Sequence, residues 1–298
     1  MMKLLIAGFL FFGLAAQALE LSKDFNGFVT IESTDLYVEY LAPQVGKPTV
    51  VLLNGLTYST RQWDKMTAVL KTMGIGVLRY DMSGMGQTLL KYGGKFEPYH
   101  YANQVIELDQ LLTTLKIPTP YNLVGLSYGG GIAAAFSFKY PKKVKNAVLM
   151  APYTAALEGQ DQWIKTQIAV TRAMYPYNPY SNDELYDYFL KQICYSTYPA
   201  LEPIVMENPY KLEATFRLTQ GIRKFNVNDE IDRFPENSVH LIIAKKDQYI
   251  KQAVLDAFWD AIPAASRASR IYVEGSEHKI PEAVPQKAAE IVRDIVLK

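Results

Sequence analysis

The chain has 298 residues, 49% of them hydrophobic, and a formal net charge of +1. That is enough apolar material for a sizeable core, and the absence of a basic stripe argues against nucleic acid as a partner. One cysteine excludes an intramolecular disulfide, and three histidines beside it make a structural zinc site a poor expectation. No metal or cofactor is called for.

The first stretch reads as an export signal. Met1-Met2-Lys3 gives a positive start, Leu4 to Ala15 is almost unbroken apolar sequence, and Ala16-Gln17-Ala18 is a small-x-small cleavage site. Residues 1–18 are therefore expected to be removed, leaving a mature chain that starts near Leu19, is secreted or periplasmic, and has no transmembrane segment.

Phe28–Ile31 and Leu36–Tyr40 read as antiparallel strands joined by a polar turn. Pro48–Leu53 is a continuous apolar strand of the kind buried on both faces, ending at Asn54-Gly55-Leu56. Thr60–Met73 has Trp63, Met66, Leu70 and Met73 on one helical face. The strand Gly76–Tyr80 leads into a flexible turn, Asp81–Gly86, and His100–Leu115 is an amphipathic helix. Leu123-Val124-Gly125 is a strand, Gly131–Tyr140 a helix and Val144–Met150 a strand.

This alternation predicts a mostly parallel, doubly wound α/β sheet with helices on both faces. It stops over residues 154–235, which read as helices linked by Pro-rich turns and dense in aromatics: Trp163, Tyr175, Tyr177, Tyr186, Tyr188, Phe189, Tyr195 and Tyr198. A structureless loop of that length would be unusual, so the segment reads as an inserted helical lid. The strand Val239–Ala244, the helix Lys251–Ala261, the strand Arg270–Val273 and the helix Pro285–Leu297 then resume the pattern. The core domain is accordingly 19–153 with 236–298. Cys194, among aromatics, reads as a buried small hydrophobe.

Gly125-Leu126-Ser127-Tyr128-Gly129 fits the G-x-S-x-G pattern in which a strand turns abruptly into a helix and a serine is held proud at the junction. Glycines two positions either side relieve the collision such a turn would cause. A serine hydroxyl needs a base, and the base needs a carboxylate to orient it. His240 lies inside an apolar strand and reads as a core residue, and His100 opens a helix. His278 lies in a polar loop directly after the last strand, where sites are built in parallel sheets, and is the candidate base. Asp247 follows the strand before it and falls between Ser127 and His278 in chain order, which makes it the candidate acid. Glu158, after Val148–Met150, is its rival.

Together the strand-ending Asn54-Gly55, the Tyr80–Gly86 turn, the Gly125–Gly129 elbow, Asp247 and His278 resemble the α/β-hydrolase fold family over essentially the whole mature length. The resemblance implies a serine hydrolase with an oxyanion hole made by the backbone N–H groups of Leu56 and Tyr128, each such donor typically worth ~10²–10³ in rate. Two departures stand out: Asn54-Gly55 where the family often has His-Gly, and Glu277 where it often has Gly before the histidine. The leading expectation is an exported hydrolase of carboxylic esters with an apolar acyl or aryl group, working through an acyl-enzyme on Ser127. A peptidase, a thioesterase, an acyltransferase, or a non-catalytic binding protein on the same fold are the competing readings.

Overall fold

A computed structural model describes residues 23–93, 99–155, 158–201, 210–223 and 225–298, with backbone alone at 158–159 and 197–201. The proposed signal peptide lies outside the described residues, as does the side chain of Glu158. Among the described residues no helix is long and apolar enough to cross a membrane.

Eight strands form one sheet. Strands β1 (Phe25–Thr30) and β2 (Asp35–Leu41) are the antiparallel pair expected from their alternation, with Leu36, Val38 and Tyr40 turned inward and buried. Then come β3 (Thr49–Leu53), β4 (Gly76–Asp81), β5 (Tyr121–Leu126), β6 (Val144–Met150), β7 (Val239–Ala244) and β8 (Arg267–Val273). Their order is β1-β2-β4-β3-β5-β6-β7-β8, and from β4 to β8 every neighbouring pair is parallel. The runs Val50–Leu53 and Leu123–Leu126 are buried throughout because helices cover the sheet, so continuous apolar sequence rather than alternation marks them.

The helices are α1 (Asp64–Thr72), α2 (Gly86–Tyr92), α3 (Tyr101–Thr114), α4 (Tyr128–Lys139), α5 (Glu158–Met174), α6 (Asn182–Leu201), α7 (Lys211–Gly221), α8 (Gln252–Ala261), α9 (Ile280–Ala283) and α10 (Pro285–Val296). α1 packs on α9 and α10, and α4 packs on β5, β6 and α3. In α10, Ala288, Ile291, Val292 and Ile295 are buried on one stripe, the periodicity that made this helix legible. α4 differs in being buried almost all round, Tyr128 to Ala134 included. It begins three residues earlier than expected, because Tyr128, Gly129 and Gly130 are already helical. α2 and α9 were not expected.

Between β6 and β7 the described residues form the helices α5 to α7, with an isolated bridge between Ala155 and Asn226. These helices hold a second apolar cluster of their own: Ile164, Ile168, Leu185, Tyr186, Leu190, Cys194 and Phe216. Cys194 is buried there as a small hydrophobe, and burial pushes its thiol up to about 11.

Candidate active site

β5 ends at Leu126 and α4 starts at Tyr128, so Ser127 alone makes the turn, at φ 52° and ψ −117°. A non-glycine residue held there costs on the order of 1–3 kcal/mol, which the surroundings must supply. They do so through its backbone. The Ser127 N–H donates to Met150 O (2.9 Å), and its carbonyl accepts from Tyr153 N–H (2.9 Å) and Gly131 N–H (3.1 Å). Among the described residues, all its hydrogen bonds run through these backbone groups, leaving the hydroxyl uncommitted. The flanking glycines are steric necessities: a Cβ on Gly125 would fall 2.2 Å from Gly129 O, and one on Gly129 would fall 2.1 Å from Leu53 O.

Asp247 and His278 are brought together. Asp247 follows β7 and His278 follows β8, and the two loops are joined by Lys246 N–H donating to Ser276 O (2.9 Å). Asp247 Oδ2 accepts from His278 Nδ1 at 2.7 Å. The other oxygen, Oδ1, accepts the backbone N–H groups of Tyr249 (2.8 Å) and Ile250 (2.9 Å), which fixes the carboxylate's orientation. The Asp247 side chain is 2% exposed and the His278 side chain 12%. This geometry assigns the imidazole proton to Nδ1 and makes Nε2 the acceptor. The Tyr249 ring meets the imidazole edge-on at 5.1 Å. Glu277, next to it, is exposed.

Leu56 and Tyr128 lie at the ends of β3 and β5, neighbours in the sheet. Among the described residues neither N–H has a hydrogen-bond acceptor. Asn54, the departure from His-Gly, is fully buried and structural: Nδ2 donates to Tyr80 O (3.0 Å), and Oδ1 accepts from Trp63 Nε1 (2.9 Å).

A family model described as serine aminopeptidase, S33, matches residues 45–282, a stretch that spans the elbow and both loops. The chain belongs to this family of α/β-hydrolase-fold serine hydrolases. Solved structures share the fold: an α/β hydrolase from a Medee basin deep-sea metagenome library (TM-score 0.69, 21% identity, covering 91% of this chain and 98% of that one) and an esterase from Exiguobacterium antarcticum (TM-score 0.66, 18%, covering 92% and 100%). Among curated relatives, a pFDCC methylesterase of Arabidopsis thaliana is 24% identical over 79% of this chain and 89% of its own. A putative 2-succinyl-6-hydroxy-2,4-cyclohexadiene-1-carboxylate synthase of Bacillus subtilis is 32% identical, over 34% of this chain and only 35% of that protein.

In this S33 hydrolase several supporting residues went unnoticed in the sequence. Gln62 Oε1 accepts the Gly55 N–H at 2.9 Å and so shapes the loop that carries Leu56. Thr60, further along the same loop, is gripped on three sides. Its N–H donates to Asp81 Oδ1 (2.7 Å), its carbonyl accepts from Arg79 (3.0 Å), and its hydroxyl donates to Glu39 (2.9 Å). Asp81 Oδ2 also accepts the Gln87 N–H at 2.7 Å. Burial pushes the Asp81 carboxyl up to about 7 against the pull of those two N–H groups. No periodic or motif signal distinguishes such a residue from any turn aspartate. His240 is the core residue its strand implied, bonded to Ser269 (2.7 Å) and Asn146 (3.1 Å), with burial lowering its pKa to about 4.

A cavity of about 520 Å³ lies beside the Leu56 loop, walled by residues 57–62, the Asp81–Leu90 segment, Lys211 of α7 and the residues after His278. Tyr58, Met85 and Leu89 give it apolar surface. Among the described residues, none of the aromatics singled out in the inserted segment lines it: Trp163, Tyr175, Tyr177 and Tyr188 are exposed, and Tyr186 is packed into the insertion's own cluster.

Proposed function

We propose that this hydrolase cleaves carboxylic esters through an acyl-enzyme on Ser127. The observation that carries the reading is the Asp247–His278 pair at 2.7 Å, held at the same end of the sheet as the strained, otherwise uncommitted Ser127. Serine Oγ attacks the acyl carbon while His278 Nε2 takes its proton, and Asp247 stabilises the imidazolium. The N–H groups of Leu56 and Tyr128 receive the negative charge that develops on the carbonyl oxygen. Collapse expels the alcohol, to which His278 returns the proton. Water, deprotonated by the same nitrogen, then attacks the acyl-enzyme, and the carboxylic acid leaves with Ser127 restored. The Ser127–His278 bond that this requires forms as substrate binds, since catalytic hydrogen bonds are often loose without substrate.

The printed activities of relatives, a methylesterase and a rat monoacylglycerol lipase, support esters as the substrate class. We infer an apolar acyl or aryl body, fitted to Tyr58, Met85 and Leu89 of the cavity, and helices α5–α7 acting as the lid over residues 154–235. The start of the sequence supports export, with cleavage near Ala18. A serine-reactive phosphonate should label the protein at Ser127 and abolish hydrolysis of a panel of esters of graded acyl length. Labelling elsewhere, or full turnover by Ser127→Ala, would overturn the proposal.

A further inference from the structure

The residue after the nucleophile carries a polar group that the core does not require. Tyr128 opens α4, is 1% exposed and packs within the main apolar cluster, where a phenylalanine would bury as much apolar surface. Its hydroxyl donates to Gln104 Oε1 on α3, a side chain equally buried. Gln104 Nε2 in turn donates to Ser83 O at 2.9 Å, a carbonyl of the turn after β4. α3 grips that turn a second time, since the Ser83 hydroxyl donates to Glu107, one helical turn on from Gln104.

A hydrogen bond between neutral groups adds little net stability, and two apolar side chains of the same shape would serve as well. What a satisfied buried bond adds is a fixed geometry. The Tyr128 ring hangs from the peptide unit that joins Ser127 to Tyr128, the unit that supplies one oxyanion N–H in the ester reading. The carbonyl end of that unit accepts from the N–H groups of Tyr153 and Gly131, at 2.9 and 3.1 Å. The bond to Gln104 holds its other end, through the ring. Ser127, at φ 52°, is strained and would relax if either hold were released. The same turn also holds the second donor. Asp81, two residues before Ser83, accepts the Thr60 N–H at 2.7 Å, and Thr60 lies on the loop that carries Leu56.

We propose that Gln104 is a positioning residue for the oxyanion hole: it ties Tyr128 to the β4 turn, which through Asp81 also holds the Leu56 loop, and so fixes the spacing of the two N–H donors. The proposal rests on the ester reading and adds to it a residue outside the triad.

The test uses the full chain and phenyl hexanoate. Acylation and deacylation both pass through an oxyanion, so kcat reads the hole whichever step limits. Tyr128→Phe removes one oxygen, and Gln104→Met removes its acceptor. Each should lower kcat about tenfold with KM within about twofold, as expected for a contact that tightens only in the transition state. The double variant should lose no more than the worse single one, because both changes break the same link. Its Tm should lie close to that of the wild type, because both partners are then apolar. Ser137→Ala, which removes another buried hydroxyl from α4, should leave kcat unchanged. Five results each overturn the positioning role and leave the ester reading standing: wild-type kcat in the folded variants, a loss carried by KM, losses that multiply in the double variant, an equal loss in Ser137→Ala, or a Tyr128→Phe that cannot fold. A wild type that turns over neither phenyl hexanoate nor any other ester of a graded acyl series overturns both.

Discussion

Replacing Asp247 with asparagine tests the candidate acid by geometry and leaves bulk almost unchanged. Oδ1 of Asp247 accepts the Tyr249 and Ile250 N–H groups, while Oδ2 faces His278 Nδ1. In Asp247→Asn the amide oxygen must keep the first position. Turning it over would present an NH₂ group to two N–H donors and strip the part-buried Ile250 N–H of its acceptor, at about 1–3 kcal/mol. The NH₂ group therefore faces the imidazole and donates to Nδ1. That forces the proton onto Nε2, the atom that must accept from Ser127. The expected loss is on the order of 10⁴ in kcat, with the fold intact. At 1.36 kcal/mol per factor of ten this is about 5.5 kcal/mol of barrier. Steady-state kinetics on an ester, with circular dichroism to check folding, reads it directly. Glu158→Gln, at the rival carboxylate, should change kcat by less than about tenfold. A folded Asp247→Asn that turns over within tenfold of the wild type, or a dead Glu158→Gln, would refute the assignment.

Three further outcomes follow from the packing. Gly129→Ala puts a Cβ 2.1 Å from Leu53 O, a backbone atom that cannot yield, and should cost about 3 kcal/mol or more in urea unfolding; a loss under about 1 kcal/mol would show that the elbow has slack. Glu107 has its carboxyl pushed up to about 7 by burial, from an ordinary 4.5, so between those values the folded chain keeps a proton that the unfolded chain has released. Its contribution to stability therefore falls as pH rises through that window, and Glu107→Gln should flatten the decline in Tm from pH 5 to 8; an unchanged slope would place the pH dependence elsewhere. Cys194, buried and with its thiol at about 11, should resist Ellman's reagent in the native protein and react fully in urea, and rapid native labelling would contradict its burial.

The strands were readable because burial on both faces leaves nothing but apolar residues in Val50–Leu53 and Leu241–Ala244, and helices such as α10 because their stripe is one-sided. Asp247 and His278 were readable from their places after strands, even though only folding brings them within 2.7 Å. What escaped notice was set by contacts distant in sequence. Tyr128, Gly129 and Gly130 were left outside the expected helix, yet they are its first residues, and the glycines serve close packing: a Cβ on Gly129 would strike Leu53 O and one on Gly131 would strike Tyr153 O. Asp81 looked like any turn residue, and its role in holding Thr60 depends on a partner 21 positions away. The aromatics of the inserted segment read as part of a helical lid, but periodicity cannot say which face a helix turns to the core. Among the described residues the cavity takes apolar wall from Tyr58, Met85 and Leu89.

The inserted helices keep their own apolar cluster, apart from the one beneath the sheet. Among the described residues α7 is the helix that reaches into both, sending Phe216 to the small cluster and Leu218 to the large one. The described part of the molecule is thus a chassis with an attachment tied to it through that helix. The side chains that α5 and α6 bury belong to a store of stability separate from the cluster that holds Tyr128, so substitutions among them are expected to spare the elbow. For an engineer this attachment is the natural place to graft a new specificity, provided that the face of α7 carrying Leu218 is left as it is.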